Sequence, residues 1–240
     1  MAQTLGLKQP FRLELPIGKA DRNAPTLWFP EWVDFYKQED SRERHWINHN
    51  PWQADGQTLR SQQRLGQVAE MRQTVTQHEA RVDLEIVLEN ITDSPLWRID
   101  QTTCLSLAAA PDYRDPTGDR TYLIMDGQLT ATSQLDIEYD HAPGIAGAGL
   151  VGEPLPLKDG STRQITDGVY FIVARDEQSV LVHTCAPARR ISYDRRGVVA
   201  CVHIQPIFDD VQPRQQCQAR GSVYLTEGSL ADALARYKAG

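Results

Sequence analysis

The chain contains no uninterrupted apolar run near the roughly twenty residues that a membrane-spanning helix requires, so no transmembrane segment is read from it. An excess of basic residues is missing as well. The formal net charge is −7, and because phosphate recognition needs a positive surface, nucleic acid is excluded as the main partner. The opening MAQTLGLKQPFRLEL lacks the long apolar centre of a secretory signal. The expected location is therefore the cytoplasm, with export left open if a leader has been removed. Cysteine is scarce: four in 240 residues fit either reduced thiols or one or two disulfides. There is no internal repeat and no low-complexity linker. The glycines of 140–168 are followed by no Gly-Lys-Ser or Gly-Lys-Thr, which leaves a phosphate-binding loop unsupported.

What is present reads as β-structure. Arg81 to Glu89 alternates, with Val82, Leu84, Ile86 and Leu88 on one face and Asp83, Glu85 and Glu89 on the other, the pattern of a half-solvated antiparallel strand. Those three carboxylates read as a solvated outer face rather than a catalytic cluster. Further strands are expected at Trp97–Leu107, Tyr122–Met125, Val169–Ala174, Val180–Cys185, Val198–Ile204 and Gln218–Thr226, with a hairpin turn at Asp126-Gly127. Ser229 opens a short C-terminal helix as N-cap, Asp232 sits at the third helical position, and Leu230, Ala233, Leu234 and Tyr237 share the docking face. The expected fold class is all-β and antiparallel, one domain over 1–240 closed by that helix. Residues 1–60 are read as an irregular aromatic-rich segment packed on it, with a short strand near Phe11–Leu15. Residues 140–168 are read as a long irregular loop entered by His141, a cover over a cleft.

Two groups of residues invite a functional reading. Trp46 and Trp52 belong to an N-terminal set of indoles that either covers the open side of a sheet or stacks against sugar rings. His45 and His49 would suit a metal only on a helix and with a third ligand, and none is nearby. The second group is His183-Thr-Cys185 and Cys201-Val-His203. If this stretch folds as one hairpin centred near Tyr193, His183 faces His203 and Cys185 faces Cys201, all on one sheet face. Three readings then stand open: a zinc tetrad; a disulfide or plain buried residues; or an acid–base pair, since imidazole titrates near neutrality. The third is the expectation taken forward, with His203 and His183 catalytic and no metal or cofactor. Arg189, Arg190 and Arg195, with Arg196, would form a cationic rim for a carboxylate, sulfate or phosphate, and Asp209 joins them as a binding candidate.

The run Cys201-Val-His-Ile-Gln-Pro-Ile-Phe-Asp-Asp, followed by Pro213-Arg-Gln-Gln-Cys-Gln-Ala-Arg-Gly-Ser-Val-Tyr-Leu, resembles the closing segment of aldose 1-epimerases, the galactose-mutarotase-like proteins. The resemblance covers about 25 residues and implies a large antiparallel β-supersandwich with a concave sheet facing a sugar. It does not carry the catalytic residues. The base of that family is a Glu two residues before the Gln, a position held here by His203. The family's acid is a His, and its nearest counterpart here is Ala110. Mutarotase activity is therefore not expected. The resulting expectation is a carbohydrate-related protein with a small-molecule or oligosaccharide ligand, acting on an anionic sugar by His-mediated proton transfer as in elimination or epimerisation. The alternatives are a non-catalytic carbohydrate-binding module and a structural or assembly protein. The oligomeric state is not legible.

Overall fold

The computed structural model describes residues 6–9, 12–14, 24–137, 146–196 and 200–240. In chain order the strands are β1 (Gly6–Gln9), β2 (Arg12–Glu14), β3 (Thr26–Tyr36), β4 (Arg42–Trp46), β5 (Gln53–Asp55), β6 (Thr58–Leu65), β7 (Ala69–Gln77), β8 (Arg81–Asn90), β9 (Leu96–Ser106) and β10 (Thr121–Met125). They continue with β11 (Gln128–Ala131), β12 (Ala146–Leu150), β13 (Pro154–Pro156), β14 (Thr162–Gln164), β15 (Val169–Val173), β16 (Ser179–Ala186), β17 (Arg190–Asp194), β18 (Cys201–Gln205), β19 (Ile207–Val211) and β20 (Gln216–Glu227), before helix α1 (Leu230–Ala239). One sheet runs β1-β2-β3-β9-β18-β17-β12, with β4 also on β3 and β19 also on β9; the other runs β11-β10-β15-β16-β20-β8-β7-β6-β5. The ladders are antiparallel. The described residues are all-β apart from α1 and short 3-10 turns.

Side-chain alternation makes the core. Val82, Leu84, Ile86 and Leu88 of β8 are buried between the sheets, while Asp83, Glu85 and Glu89 turn outward, where Gln216, Gln218 and Arg220 of β20 bond Glu89 and Glu85 across the ladder. From the opposite sheet Leu27, Phe35, Ile99, Leu105 and Ile204 enter the same hydrophobic cluster. Strand β16 is different, because Val180 to His183 are all buried. Its second face is covered by α1, whose Ala233, Leu230, Leu234 and Tyr237 pack on Val180, Val182 and Phe171. The capping box expected for that helix is present: Asp232 N–H donates to Ser229 Oγ at 3.3 Å and Ser229 N–H to Asp232 Oδ2 at 2.8 Å. The expected hairpin is also present, with Asp126 and Gly127 at φ 49° and 75°.

Three expectations give way. The aromatic segment within 1–60 is not irregular: Trp28 to Tyr36 lie in an eleven-residue strand at the middle of its sheet. Residues 140–168 contain three short strands, β12 to β14; His141 and the rest of that region's start lie outside the described residues, as do Phe11 and Leu15. The hairpin centred on Tyr193 does not form. Strand β16 pairs with β15 and β20, so His183 lies opposite Tyr170 and Val223, while His203 on β18 lies opposite Ser192 and Cys104 in the other sheet. The physical reason is Pro187, which has no N–H to continue a ladder and stands where the chain leaves one sheet for the other. Among the described residues no helix is long and apolar enough to cross a membrane.

Candidate functional site

Strand register assembles a cavity of about 500 Å³ on the face of the first sheet turned away from the core. The alternate residues Asp100, Thr102, Cys104 and Ser106 of β9 form its floor; Cys201, His203 and Gln205 of β18 lie beside them, and Arg190, Ser192 and Asp194 of β17 follow. Strand β3 supplies Trp28, Trp32, Asp34 and Tyr36. Between Trp28, which faces Cys104, and Trp32, which faces Thr102, β3 advances four residues while β9 advances two. That bulge contains Pro30, which cannot donate to the ladder. It is also how Glu31, out of phase with Trp32 and Asp34, reaches the same cavity.

At the centre stands His203. Its Nε2 is 3.5 Å from Cys201 Sγ and 3.7 Å from Glu31 Oε2, and its Nδ1 is 3.3 Å from Ser192 Oγ. Burial acts against the imidazolium, but Cys201, Glu31 and Asp194 together push the ring above its usual range. Burial pushes the Glu31 carboxyl up, with His203 opposing. The thiols divide one proton unequally. A hydrogen bond from Cys104, aided by His203, draws Cys201 down to about 5, and the same bond with burial drives Cys104 well up. Farther along, Asp34 is gripped by Arg44 through two bonds of 2.8 and 2.7 Å. The Arg44 guanidinium lies over Trp32 at 4.0 Å and over Trp46 at 5.2 Å. Burial raises Asp100 to about 6 even though Arg98 is 2.9 Å away.

The residues singled out in the sequence are scattered by the fold. His203 and Arg190 line the cavity. His183 is fully buried in the core of the other sheet, where burial pushes its imidazole down to about 3; a ring held neutral and sealed from solvent does not touch a ligand in this cavity. Arg195 is out of phase with Arg190 and turns to the opposite side of the strand. It is buried there, donating to Thr117 O and to Tyr193 Oη at 3.3 Å. Arg189 is exposed outside the cavity, 3.8 Å from Asp209. Trp46 stands 56% exposed beyond Arg44, and Trp52 packs partly buried against the core cluster. His45 is on a strand, bonded to Glu43 at 2.8 Å. Glu31, Cys104 and Asp100 are the site residues that sequence reasoning passed over, whereas Trp28 and Trp32 belong to the N-terminal indole set for which sugar stacking is one of the two readings. The proline inside Trp28-Phe-Pro-Glu-Trp32 was the available signal for the bulge.

No protein-family model matches the chain, and no curated protein sequence does. Solved structures do. The alpha-N-acetylgalactosaminidase NagBb of Bifidobacterium bifidum is 10% identical over 96% of this chain with a TM-score of 0.54; this chain spans 36% of that one. A galactose mutarotase-like protein from Lactobacillus casei ATCC 334 is 8% identical over 85% of each chain, TM-score 0.44. The all-β architecture is one this chain shares with the galactosaminidase. The Slr1438 protein of Synechocystis is 11% identical over 92% of this chain and 86% of its own, TM-score 0.45. At such identities likeness extends to architecture alone, and the roles of Glu31 and His203 rest on their own geometry.

Proposed function

We propose that the cavity takes a carbohydrate, in particular an anionic sugar, and moves a proton on it through Glu31 and His203. The observation that carries this reading is the Glu31–His203 pair, 3.7 Å apart, in a cavity whose wall includes the indoles of Trp28 and Trp32. A volume of about 500 Å³ suits one or two sugar rings. Indole faces pack against the C–H faces of such rings, while Thr102, Gln205 and the carboxylates offer partners to their hydroxyls. Arg190 adds a cation to the wall for a carboxylate. A carboxyl raised toward neutrality is a competent base there, and an imidazole raised above its usual range is a competent acid. Among the fold neighbours are a polysaccharide lyase and the galactosaminidase, which agree with a sugar ligand.

The test is a panel of neutral and uronic sugars incubated with the protein in heavy water, with binding followed by NMR and carbon-bound deuterium by mass. Incorporation beside a sugar carboxylate that is lost in Glu31→Gln is the expected result. Binding without exchange or turnover would reduce the protein to a carbohydrate-binding module, and absence of any binding would overturn the sugar reading.

A further inference from the structure

We propose that Cys104, Cys201 and His203 form a zinc site with three protein ligands, whose fourth position opens into the cavity beside Glu31. The strand register places the donors. His203 and Cys104 are direct cross-strand neighbours, and Cys201 lies two residues before His203 on the same face. Cys104 Sγ, Cys201 Sγ and one His203 nitrogen all lie within 4.8 Å of one another. In a tetrahedral zinc centre, bonds of ~2.3 Å to sulfur and ~2.05 Å to nitrogen set the sulfur-to-nitrogen edge at roughly 3.5 Å. The Cys201 Sγ to His203 Nε2 distance is 3.5 Å. One edge of a tetrahedral face thus already has its length, and the third donor lies within 4.8 Å of both its ends.

The donor chemistry agrees. Two thiolates and an imidazole are ligands that zinc prefers, and two thiolates neutralise its charge, so the buried site carries no net charge from the metal and its sulfurs. Ser192 Oγ lies 3.3 Å from Nδ1 and Nε2 is the ring nitrogen turned toward Cys201. With zinc on Nε2, the Nδ1 proton would have Ser192 Oγ as its acceptor, the outer partner that orients a metal-bound imidazole. Structural zinc sites close with a fourth protein ligand, whereas sites that do chemistry leave that position to water or substrate. Here three ligands converge, and the side left to the fourth adjoins the cavity in which Glu31 stands. Glu31 is then placed to take one proton from a zinc-bound water, which leaves hydroxide on the metal and a neutral carboxyl on Glu31. A sugar hydroxyl or carbonyl oxygen could occupy the same position. Zinc on Nε2 replaces the imidazolium proton as the electrophile, and the base remains Glu31. The metal site rests on the cluster alone and needs no sugar.

The experiment titrates the 240-residue chain, stripped with chelator and kept in a thiol-free phosphine reductant, with zinc against a chromogenic competitor and separately with cobalt. One equivalent of zinc and a thiolate-to-cobalt charge-transfer band with tetrahedral visible bands are expected. Cys104→Ser, Cys201→Ser and His203→Asn should each weaken zinc by about 100-fold or more, while Cys217→Ser should leave it unchanged. Melting curves establish that each variant is folded, and the cobalt spectrum of the unaltered protein decides the matter should one fail to fold. No stoichiometric metal, a cobalt spectrum without the thiolate band, or full affinity in folded Cys201→Ser would overturn the site, as would a Cys104–Cys201 disulfide that persists under reductant. Because no sugar is present, failure here leaves the carbohydrate reading untouched. A sugar panel that fails on both stripped and zinc-loaded protein leaves the metal site untouched.

Discussion

His183 offers the sharpest physical test of this fold. In the unfolded chain its imidazole titrates near 6.5, while in the folded core burial pushes it down to about 3. The unfolded state therefore binds more protons than the folded state between these values, and stability contributed by the neutral ring is present above the unfolded value and drains away as pH falls. Each pH unit inside the window costs about 1.4 kcal/mol. Between pH 7 and pH 5 this one residue should remove about 2 kcal/mol. The perturbation is His183→Leu, close in volume and surrounded by Leu181, Cys185 and Val223. Urea unfolding of both proteins at the two pH values gives a double difference in which every other titrating group cancels. The variant should lose about 2 kcal/mol less than the parent on acidification, equivalent to several degrees in melting temperature for a domain of this size. Equal losses in the two proteins would show that His183 is protonated within the fold or reached by solvent, and would refute its placement in the core.

The remaining predictions concern other positions. Asp100, raised to about 6 from 3.8, has the opposite sense: its stability contribution is complete below the unfolded value and is lost as pH rises through about 6, so the gain from Asp100→Asn should grow by about 2 kcal/mol from pH 4.5 to pH 8 in urea titrations. Gly221→Ala should destabilise by about 3 kcal/mol or more, because a Cβ there would meet the Thr184 carbonyl oxygen at 2.1 Å, and calorimetry should show a large fall in melting temperature. Arg195→Ala should lower stability and leave affinity for any cavity ligand unchanged, whereas Arg190→Ala should weaken binding of an anionic ligand without lowering the melting temperature. Calorimetric titration of both variants with the same ligand separates these outcomes.

What could be read from the sequence was local. The alternation of β8 and the capping pattern at Ser229 depend on neighbours within a few residues, and both appear as expected. The site depends on distant pairings. Cys104 joins Cys201 and His203 only because β9 lies beside β18, and no short motif records that adjacency. The mirrored spacing of His-x-Cys and Cys-x-His suggested a hairpin that Pro187 prevents. A better signal was the unbroken apolar run before His183, the mark of a strand covered on both faces, which points to a core residue and against the catalytic role expected of it. The closing-segment resemblance anticipated an antiparallel all-β architecture of large sheets, yet it carried no information about Glu31, which enters from the far end of the chain.

The bulge in β3 makes the proton transfer proposed for Glu31 separable from the shape of the cavity. Glu31 reaches the cavity only because the strand gains two residues between Trp28 and Trp32 relative to β9. Removing two residues there would bring both indoles into an uninterrupted ladder, keep the walls of the cavity, and withdraw the carboxyl. A receptor and an enzyme built on this scaffold would then differ by a two-residue deletion, a step that an evolving lineage can take in either direction without rebuilding a sheet.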